Sequence, residues 1–397
     1  MTRQLSLFGL LAIGTLAACD PTPIEETTDT YPAIEAAFGS NIVVDDLFNY
    51  EDQDIPNYIT QDNTDDNGIT DMGATLGRAL FYDKNLSIDG TVACASCHQQ
   101  AYAFGDPLQA SEGVNGTTGR HSMRLVNARF AEEVQFFWDE RAGTLEEQTT
   151  MPIQDHTEMG FSGLEGNPDF SGLVERLEEL DYYTELFTLA YGEPTINEER
   201  VQMALGQFVR SIQSFDSRYD AGRAVAGNDQ APFDNFTEAE NAGKGLFMDP
   251  PILDGQGMRT GGGVGCQGCH RAPEFDIDPQ SGNNGFINSL AGTLDYTITR
   301  APSLRDIFNP QGELNGGLMH TGELNTLEEV LAHYGSIDAT DNPTIDRRLR
   351  GAPGTQANGQ QLNLTQEEID NLVAFLKTLG GEDMYTNEKW SDPFIEN

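Results

Sequence analysis

Two five-residue motifs constrain this chain more than any other feature: Cys94-Ala95-Ser96-Cys97-His98 and Cys266-Gln267-Gly268-Cys269-His270. Each is C-x-x-C-H, the attachment pattern for c-type haem. Two thiols add to the vinyl groups of the macrocycle, and the adjacent imidazole becomes the proximal ligand of the iron. A zinc site or a thioredoxin-like pair also uses two spaced cysteines, but neither requires a histidine directly after both pairs. The motifs therefore predict two covalently bound c-type haems, with His98 and His270 as the iron ligands. Five cysteines in 397 residues are too few for a disulfide scaffold.

The surroundings of the motifs repeat in the same order. Gly77-Arg78-Ala79-Leu80-Phe81 precedes the first, and Gly243-Lys244-Gly245-Leu246-Phe247 precedes the second. Thr144-Leu145-Glu146-Glu147 follows the first, and Thr326-Leu327-Glu328-Glu329 follows the second. Such self-similarity implies two homologous units. The Leu-Phe stretches predict amphipathic helices leading into each haem turn. Thr365 and Glu368 form a capping box that opens a helix with Ile369, Leu372, Val373, Leu376 and Leu379 on one face, stopped by Gly380-Gly381. No run of alternating strands appears. The fold class expected is all-α, two tandem cytochrome c-like haem domains over residues 41–225 and 226–397. Glycine-rich Asp254 to Gly265 reads as a surface loop. Asp62 to Gly68 is acidic, but its glycine is one place off the EF-hand pattern and the closing carboxylate is missing, so it reads as a solvated turn.

The fifth cysteine belongs to the N-terminus. Arg3, an apolar run from Leu5 to Leu16 and then small residues have the shape of a secretory signal. Leu16-Ala17-Ala18-Cys19 resembles the lipobox of bacterial lipoproteins; the alternative is an ordinary signal peptide with an incidental cysteine. On the first reading residues 1–18 are a lipoprotein signal peptide, Cys19 is lipidated and residues 19–40 form an acidic flexible tether. The chain would then lie on the periplasmic side of a bacterial membrane, held only through its lipid anchor. With 64 Asp and Glu against 22 Lys and Arg, the net charge is -42. That excludes a nucleic-acid partner, whose phosphates need cationic neutralisation, and suits a basic protein partner.

Several stretches together resemble the bacterial diheme cytochrome c peroxidases and their MauG-type relatives, over roughly residues 70 to 380. They are Leu76-Gly77-Arg78-Ala79-Leu80-Phe81-Tyr82-Asp83, Phe137-Trp138-Asp139-Glu140-Arg141-Ala142, Leu145-Glu146-Glu147-Gln148, Glu158-Met159-Gly160, Arg300-Ala301-Pro302-Ser303-Leu304-Arg305 and Leu318-Met319-His320. The resemblance implies reduction of hydrogen peroxide to water with electrons from a small basic cytochrome c or cupredoxin. These would enter at the second haem and pass to an open first haem. It also implies that Glu158 is the distal general acid/base, that Gln148 is the distal amide and that Trp138 relays electrons between the haems. His156, two residues from Glu158, could tune that carboxylate or face water. For the sixth ligand of the second haem, the position fourteen residues after His320 is Tyr334, where the peroxidases place Met and the MauG branch Tyr. Met319 competes on chemical grounds, because a thioether is a familiar axial ligand. His333 is expected to be structural.

The sequence departs from the family in two places. The peroxidases carry a blocking distal histidine sixteen residues after the first haem histidine, where this chain has Val114. The nearest imidazole is His121. The family's interdomain calcium uses an asparagine side chain that corresponds to Ser122, so a calcium ion would rest on Ser122 and the carbonyls of Asn315 and Gly317. Two other functions compete with peroxide reduction: a MauG-like oxidase that modifies a partner protein, and a diheme electron carrier without catalysis.

Overall fold

The computed structural model describes residues 30–350 and 359–395. Cys19 and most of the expected tether lie outside them. Among the described residues the chain is helix-rich, and its strands are limited to three short antiparallel ribbons.

In the first half, α1 (Pro32–Phe38) and α2 (Asp71–Tyr82) come first, and the short α3 (Cys94–Cys97) carries the first haem motif. A ribbon of β1 (Glu112–Gly113) and β2 (Gly116–Thr117) follows. Then come α4 (Leu145–Gln154), α5 (Phe170–Glu178), α6 (Asp181–Tyr191), α7 (Glu198–Ser211) and α8 (Arg218–Val225). The second half holds α9 (Glu238–Met248), the ribbon of β3 (Pro251–Leu253) with β4 (Arg259–Gly262), and the ribbon of β5 (His270–Arg271) with β6 (Asp276–Ile277). It ends with α10 (Leu327–Gly335) and α11 (Gln366–Leu376).

The repeated motifs have repeated structural jobs. Gly77 of α2 packs on α7, and a Cβ there would stand 2.0 Å from the Ala204 carbonyl oxygen. Gly243 of α9 packs on α11, where a Cβ would stand 1.9 Å from the Asn371 carbonyl oxygen. In both halves the glycine before the haem motif lets two helix backbones touch, which any side chain would prevent. Thr144 and Thr326 cap α4 and α10 by accepting the N–H of Glu147 and Glu329, satisfying donors that a helix start leaves free. Thr365 and Glu368 form the capping box of α11, with Leu372, Leu376 and Leu379 buried beneath it and Phe375 added to the face.

Two main cores result. One gathers α1, α2 and α4–α7 around Phe81, Phe104 and Phe208; the other gathers α9–α11 around Phe247, Phe275 and Phe375. The chain crosses between them. Tyr219 of α8 joins the second core, while Met384 and Trp390 return from the C-terminal end to the first. Trp390 donates its indole N–H to the Ser211 carbonyl at 3.1 Å, and the Tyr82 hydroxyl donates to the Trp390 carbonyl at 2.6 Å.

Two loop readings change. The glycine-rich approach to the second motif contains β4, because Asp254 accepts the N–H groups of Gln256 and Met258 and turns the chain back on β3. The acidic segment from Asp62 is not a solvated turn throughout. Asn63 and Asn67 are buried, where Asn63 accepts from Arg210 at 3.0 Å and Asn67 donates to Glu146 at 2.7 Å.

Candidate active site

Each C-x-x-C-H motif opens onto its own cavity. The first is about 500 Å³ and the second about 530 Å³. Cys94, Cys97 and His98 line the first; Cys266, Cys269 and His270 line the second. All four thiols are free of disulfides. Burial pushes the Cys94 and Cys266 thiols up to about 12 and holds both histidines below their ordinary range, so the imidazoles are neutral. His98 Nδ1 lies 3.0 Å from the Phe104 carbonyl oxygen, which favours the tautomer with its proton on Nδ1. His270 has Phe275 as the corresponding backbone neighbour, but no hydrogen bond of good geometry forms and its Nδ1 is buried without a partner. Paired thiols, a neutral imidazole and apolar walls fit a covalently held haem in each cavity.

Glu158, Gln148, Trp138 and Arg141 all face the first cavity with His98. Burial raises the Glu158 carboxyl from 4.5 to about 7, with a further push from Asp155 and an opposing pull from Arg141. A carboxyl near 7 both takes and gives a proton at neutral pH. His156 turns elsewhere, towards Ser162 at 3.3 Å and Glu165 at 3.6 Å. Val114 does not line the cavity. Its N–H donates to the Glu158 carbonyl at 3.0 Å, and the next N–H, of Asn115, donates to the Thr157 carbonyl at 3.1 Å. The loop of Val114 is thus a backing for the segment that presents Glu158.

In the second cavity Tyr334 and Met319 come together on one amide. Asn284 Nδ2 lies 3.2 Å from the Tyr334 hydroxyl and 3.6 Å from the Met319 sulfur. Burial raises the Tyr334 phenol, while the Asn284 hydrogen bond works against it. His333 points away, with Nε2 3.0 Å from the Asn284 carbonyl oxygen. Asn284 was not legible in the sequence, since it belongs to no motif and lies fifty positions from Tyr334.

The two cavities differ at matched positions of α4 and α10. Gln148 and Pro152 line the first, and 182 residues on, Val330 and Tyr334 line the second. One cavity thus presents an amide where the other has an alkyl group, and a ring with no donor where the other has a phenol. Between them stands a shared wall that includes His121, Arg124, Trp138, Arg300 and Pro302. His121 is fixed within it, its Nδ1 3.0 Å from the Leu108 carbonyl oxygen.

The expected calcium donors are less complete. Ser122 Oγ lies 2.7 Å from Ser111 Oγ, which donates to Asp106 at 2.5 Å. Asn315 is buried and donates to the Asp306 carbonyl and the Tyr385 hydroxyl, while Gly317 lines the second cavity. Among the described residues no cluster of three or more His, Cys, Asp or Glu could hold a metal ion.

The family model described as di-haem cytochrome c peroxidase matches residues 71–230. Methylamine utilization protein MauG of Methylophilus methylotrophus is 30% identical over 328 residues, 79% of this chain and 84% of its own length. Cytochrome c551 peroxidase of Nitrosomonas europaea is 26% identical over 324 residues, 78% of this chain and 80% of its own. Among solved structures, a MauG-like protein associated with microbial copper homeostasis superposes with a TM-score of 0.65 at 28% identity, covering 86% of this chain and 99% of that one. Paired cavities, C-x-x-C-H motifs and relatives that match over most of their length agree: the chain belongs to the di-haem cytochrome c peroxidase family, which includes MauG.

Proposed function

We propose that this chain is a di-haem peroxidase that reduces hydrogen peroxide to water with electrons from a small basic redox protein, a cytochrome c or a cupredoxin. The observation that carries the reading is the convergence of Glu158 and Gln148 on the cavity of His98, with Glu158 raised to about 7. On this reading the chain is two tandem cytochrome c-like haem domains, over 41–225 and 226–397. Cys94 with Cys97, and Cys266 with Cys269, anchor two haems. When bound, these supply the iron at which peroxide is reduced and the one-electron chemistry that links the cavities. His98 would hold the iron of the first and His270 that of the second, where Tyr334, with Met319 as the competitor, would complete its ligand set. Glu158 takes the proton from one peroxide oxygen and returns it to the other. Gln148 orients the peroxide through its amide, and Trp138 carries electrons across the shared wall.

A MauG-like oxidation of a partner protein is the second reading, favoured by the phenol of Tyr334 in the second cavity. Calcium would sit at Ser122 and the carbonyls of Asn315 and Gly317, with Asp106 linked to Ser122 through the Ser111 hydroxyl. Among the described residues no helix is long and apolar enough to cross a membrane. A periplasmic location held by lipidated Cys19 completes the proposal. Steady-state peroxide consumption by the matured protein, with a reduced basic cytochrome c as donor, tests the central reading. Expected is turnover that stops without donor; haem-loaded protein that leaves peroxide untouched would overturn it.

A further inference from the structure

Tyr182 and Tyr183, near the start of α6, share one carboxylate oxygen. Their hydroxyls donate to Asp83 Oδ2 at 2.9 and 2.8 Å, and their rings stand 4.6 Å apart. Asp83 is 4% exposed, and among the described residues it forms no ion pair. Its other oxygen accepts the backbone and side-chain N–H groups of Asn85, both at 2.8 Å. A buried anion without a cation is costly unless it is well hydrogen-bonded, and four donors meet that need here. Burial, reinforced by Asp83, raises both phenols, so they hold their protons at rest.

The pair packs into the core that supplies part of the wall of the first cavity. Phe81, two residues before Asp83, lines that cavity, and Tyr183 belongs to the same core, against which Cys94 packs. Tyr183 is fully buried, whereas Tyr182 is partly exposed, edge-on to Phe38 at 5.4 Å. Tyr183 is thus the inner member of the pair and Tyr182 the outer one.

We propose that Tyr182, Tyr183 and Asp83 form a redox-active site that drains oxidising equivalents from the first cavity towards the surface. The inference rests on the peroxide chemistry proposed above. Hydrogen peroxide takes two electrons and two protons to become two waters. When donor electrons are lacking, the haem of the first cavity would supply one of these electrons when bound, and Tyr183 supplies the other. Its phenol, strongly acidic once oxidised, passes its proton to Asp83, leaving a neutral tyrosyl radical and a carboxylic acid. Tyr182 then supplies an electron to Tyr183 and its own proton to the shared carboxyl, while Asp83 returns the first proton to Tyr183. The oxidised site moves outward by one residue, and no charge is left behind in the core.

Other tyrosines lack this arrangement. Tyr50 and Tyr82 donate to backbone carbonyls, which cannot take a proton. Tyr58 and Tyr219 meet Asp220 and Asp229, carboxylates already paired with Arg305 and Arg223. Tyr385 reaches Asp306 at 3.2 Å but lies in the field of the buried Arg124 cation.

The test is freeze-quench electron paramagnetic resonance of the haem-loaded protein after one equivalent of peroxide without donor. A tyrosyl signal is expected in the wild type and in Tyr182→Phe, where it should be trapped on Tyr183 and longer-lived. It should be lost in Tyr183→Phe and in the double variant, each of which keeps its rings. A Soret band that responds to peroxide with no tyrosyl signal, or an unchanged signal in the double variant, overturns the site and leaves the peroxidase reading intact. If the Soret band does not respond, that reading has failed, and flash-generated ruthenium(III) tris-bipyridine replaces peroxide. A tyrosyl signal lost in the double variant then supports the site, and none in the wild type overturns it.

Discussion

Trp138 and His320 face each other across the wall between the two cavities, ring centroids 6.2 Å apart and planes at 63°. They are counterparts, 182 residues apart in the sequence repeat. Each follows a residue of positive φ, Phe137 at 69° and Met319 at 63°. Each also lies within a tight bridge, Phe136 to Ala142 and Leu318 to Leu324. The halves then exchange backbone bonds: the Trp138 carbonyl accepts the N–H of Thr299 at 3.1 Å, and the His320 carbonyl accepts the N–H of His121 at 2.8 Å. The Trp138 indole closes the set by donating to the His121 carbonyl at 2.8 Å. A duplicated turn has thus become a contact between its two copies.

Replacing Trp138 with Phe should leave both haems attached and slow electron exchange between them. Loss of the indole donor also frees the His121 carbonyl, so the conservative control is His320→Gln, which leaves the indole in place. Flash photolysis of the half-reduced protein, read at the Soret bands, compares the two. Unchanged exchange in Trp138→Phe would make the indole a packing group.

Glu158→Gln should lower peroxide turnover by about 10²-fold or more, the usual scale for a general acid/base. The same group leaves a mark on stability. Its carboxyl is raised from 4.5 to about 7, so the folded chain holds a proton that the unfolded chain releases in that window. The stability it contributes is fully present below 4.5 and lost as pH rises through 7. Glutamine stays neutral throughout. Thermal midpoints of wild type and variant should therefore diverge between pH 4.5 and 7, with the variant ahead at the upper end.

What was legible in the sequence was local. The capping box at Thr365, the haem turns and the repeated stretches around them each depend on a few adjacent residues, and such patterns survive in one dimension. Tyr334 could be placed through its spacing from His320, yet the amide that meets its hydroxyl could not. Asn284 reaches it from a separate loop, and nothing periodic marks that approach. The Asp62 segment misled for the same reason. Its composition is that of a turn, but Arg210 and Glu146, far along the chain, draw Asn63 and Asn67 inside. The return of Trp390 to the first core is likewise a long-range contact that leaves no local trace.

Asp220→Asn should destabilise the protein by about 3–5 kcal/mol, the range for breaking a buried ion pair from one side. Arg305 grips both oxygens of Asp220 at 2.9 Å, with side chains 0% and 4% exposed. Burial pushes this carboxyl up, but the Arg305 guanidinium overrides it and holds it below 3.8. The pair's contribution is therefore present above 3.8 and lost as pH falls through the lowered folded value. Denaturant midpoints at pH 7 and pH 3 check both halves of the claim, since the gap between variant and wild type should narrow at the lower pH.

Donor association should depend on salt. A chain with net charge -42 attracts a basic cytochrome c over a distance set by screening, about 8–10 Å at about 0.1–0.15 M salt. Stopped-flow rates for the reduced donor should fall about tenfold or more as salt rises from low to above physiological strength. A rate indifferent to salt would assign the acidic surface to solubility.

The resting oxidised protein should react with peroxide directly. A peroxidase that must first be reduced keeps a histidine on its first iron, and the loop that would deliver one carries Val114, which has no lone pair to offer. The loop is also held. Its backbone N–H groups at Val114 and Asn115 are bonded to the segment of Glu158, and the Asn115 side chain donates to the His156 carbonyl at 2.8 Å. Nor can His121 substitute without cost. Its ring is engaged by the Leu108 carbonyl, and its backbone joins Trp138 to His320, so swinging it onto iron would dismantle the wall. The oxidised protein should show a high-spin signal from the His98 site beside a low-spin one from the His270 site, and one equivalent of peroxide should abolish the first without added reductant. Val114→His sharpens the test. While the loop stays bonded to residues 157 and 158, the new imidazole should remain off the iron and the high-spin signal should persist. A low-spin first haem in that variant would mean that the loop moves freely; a wild type inert until one electron is added would mean that another group blocks the site.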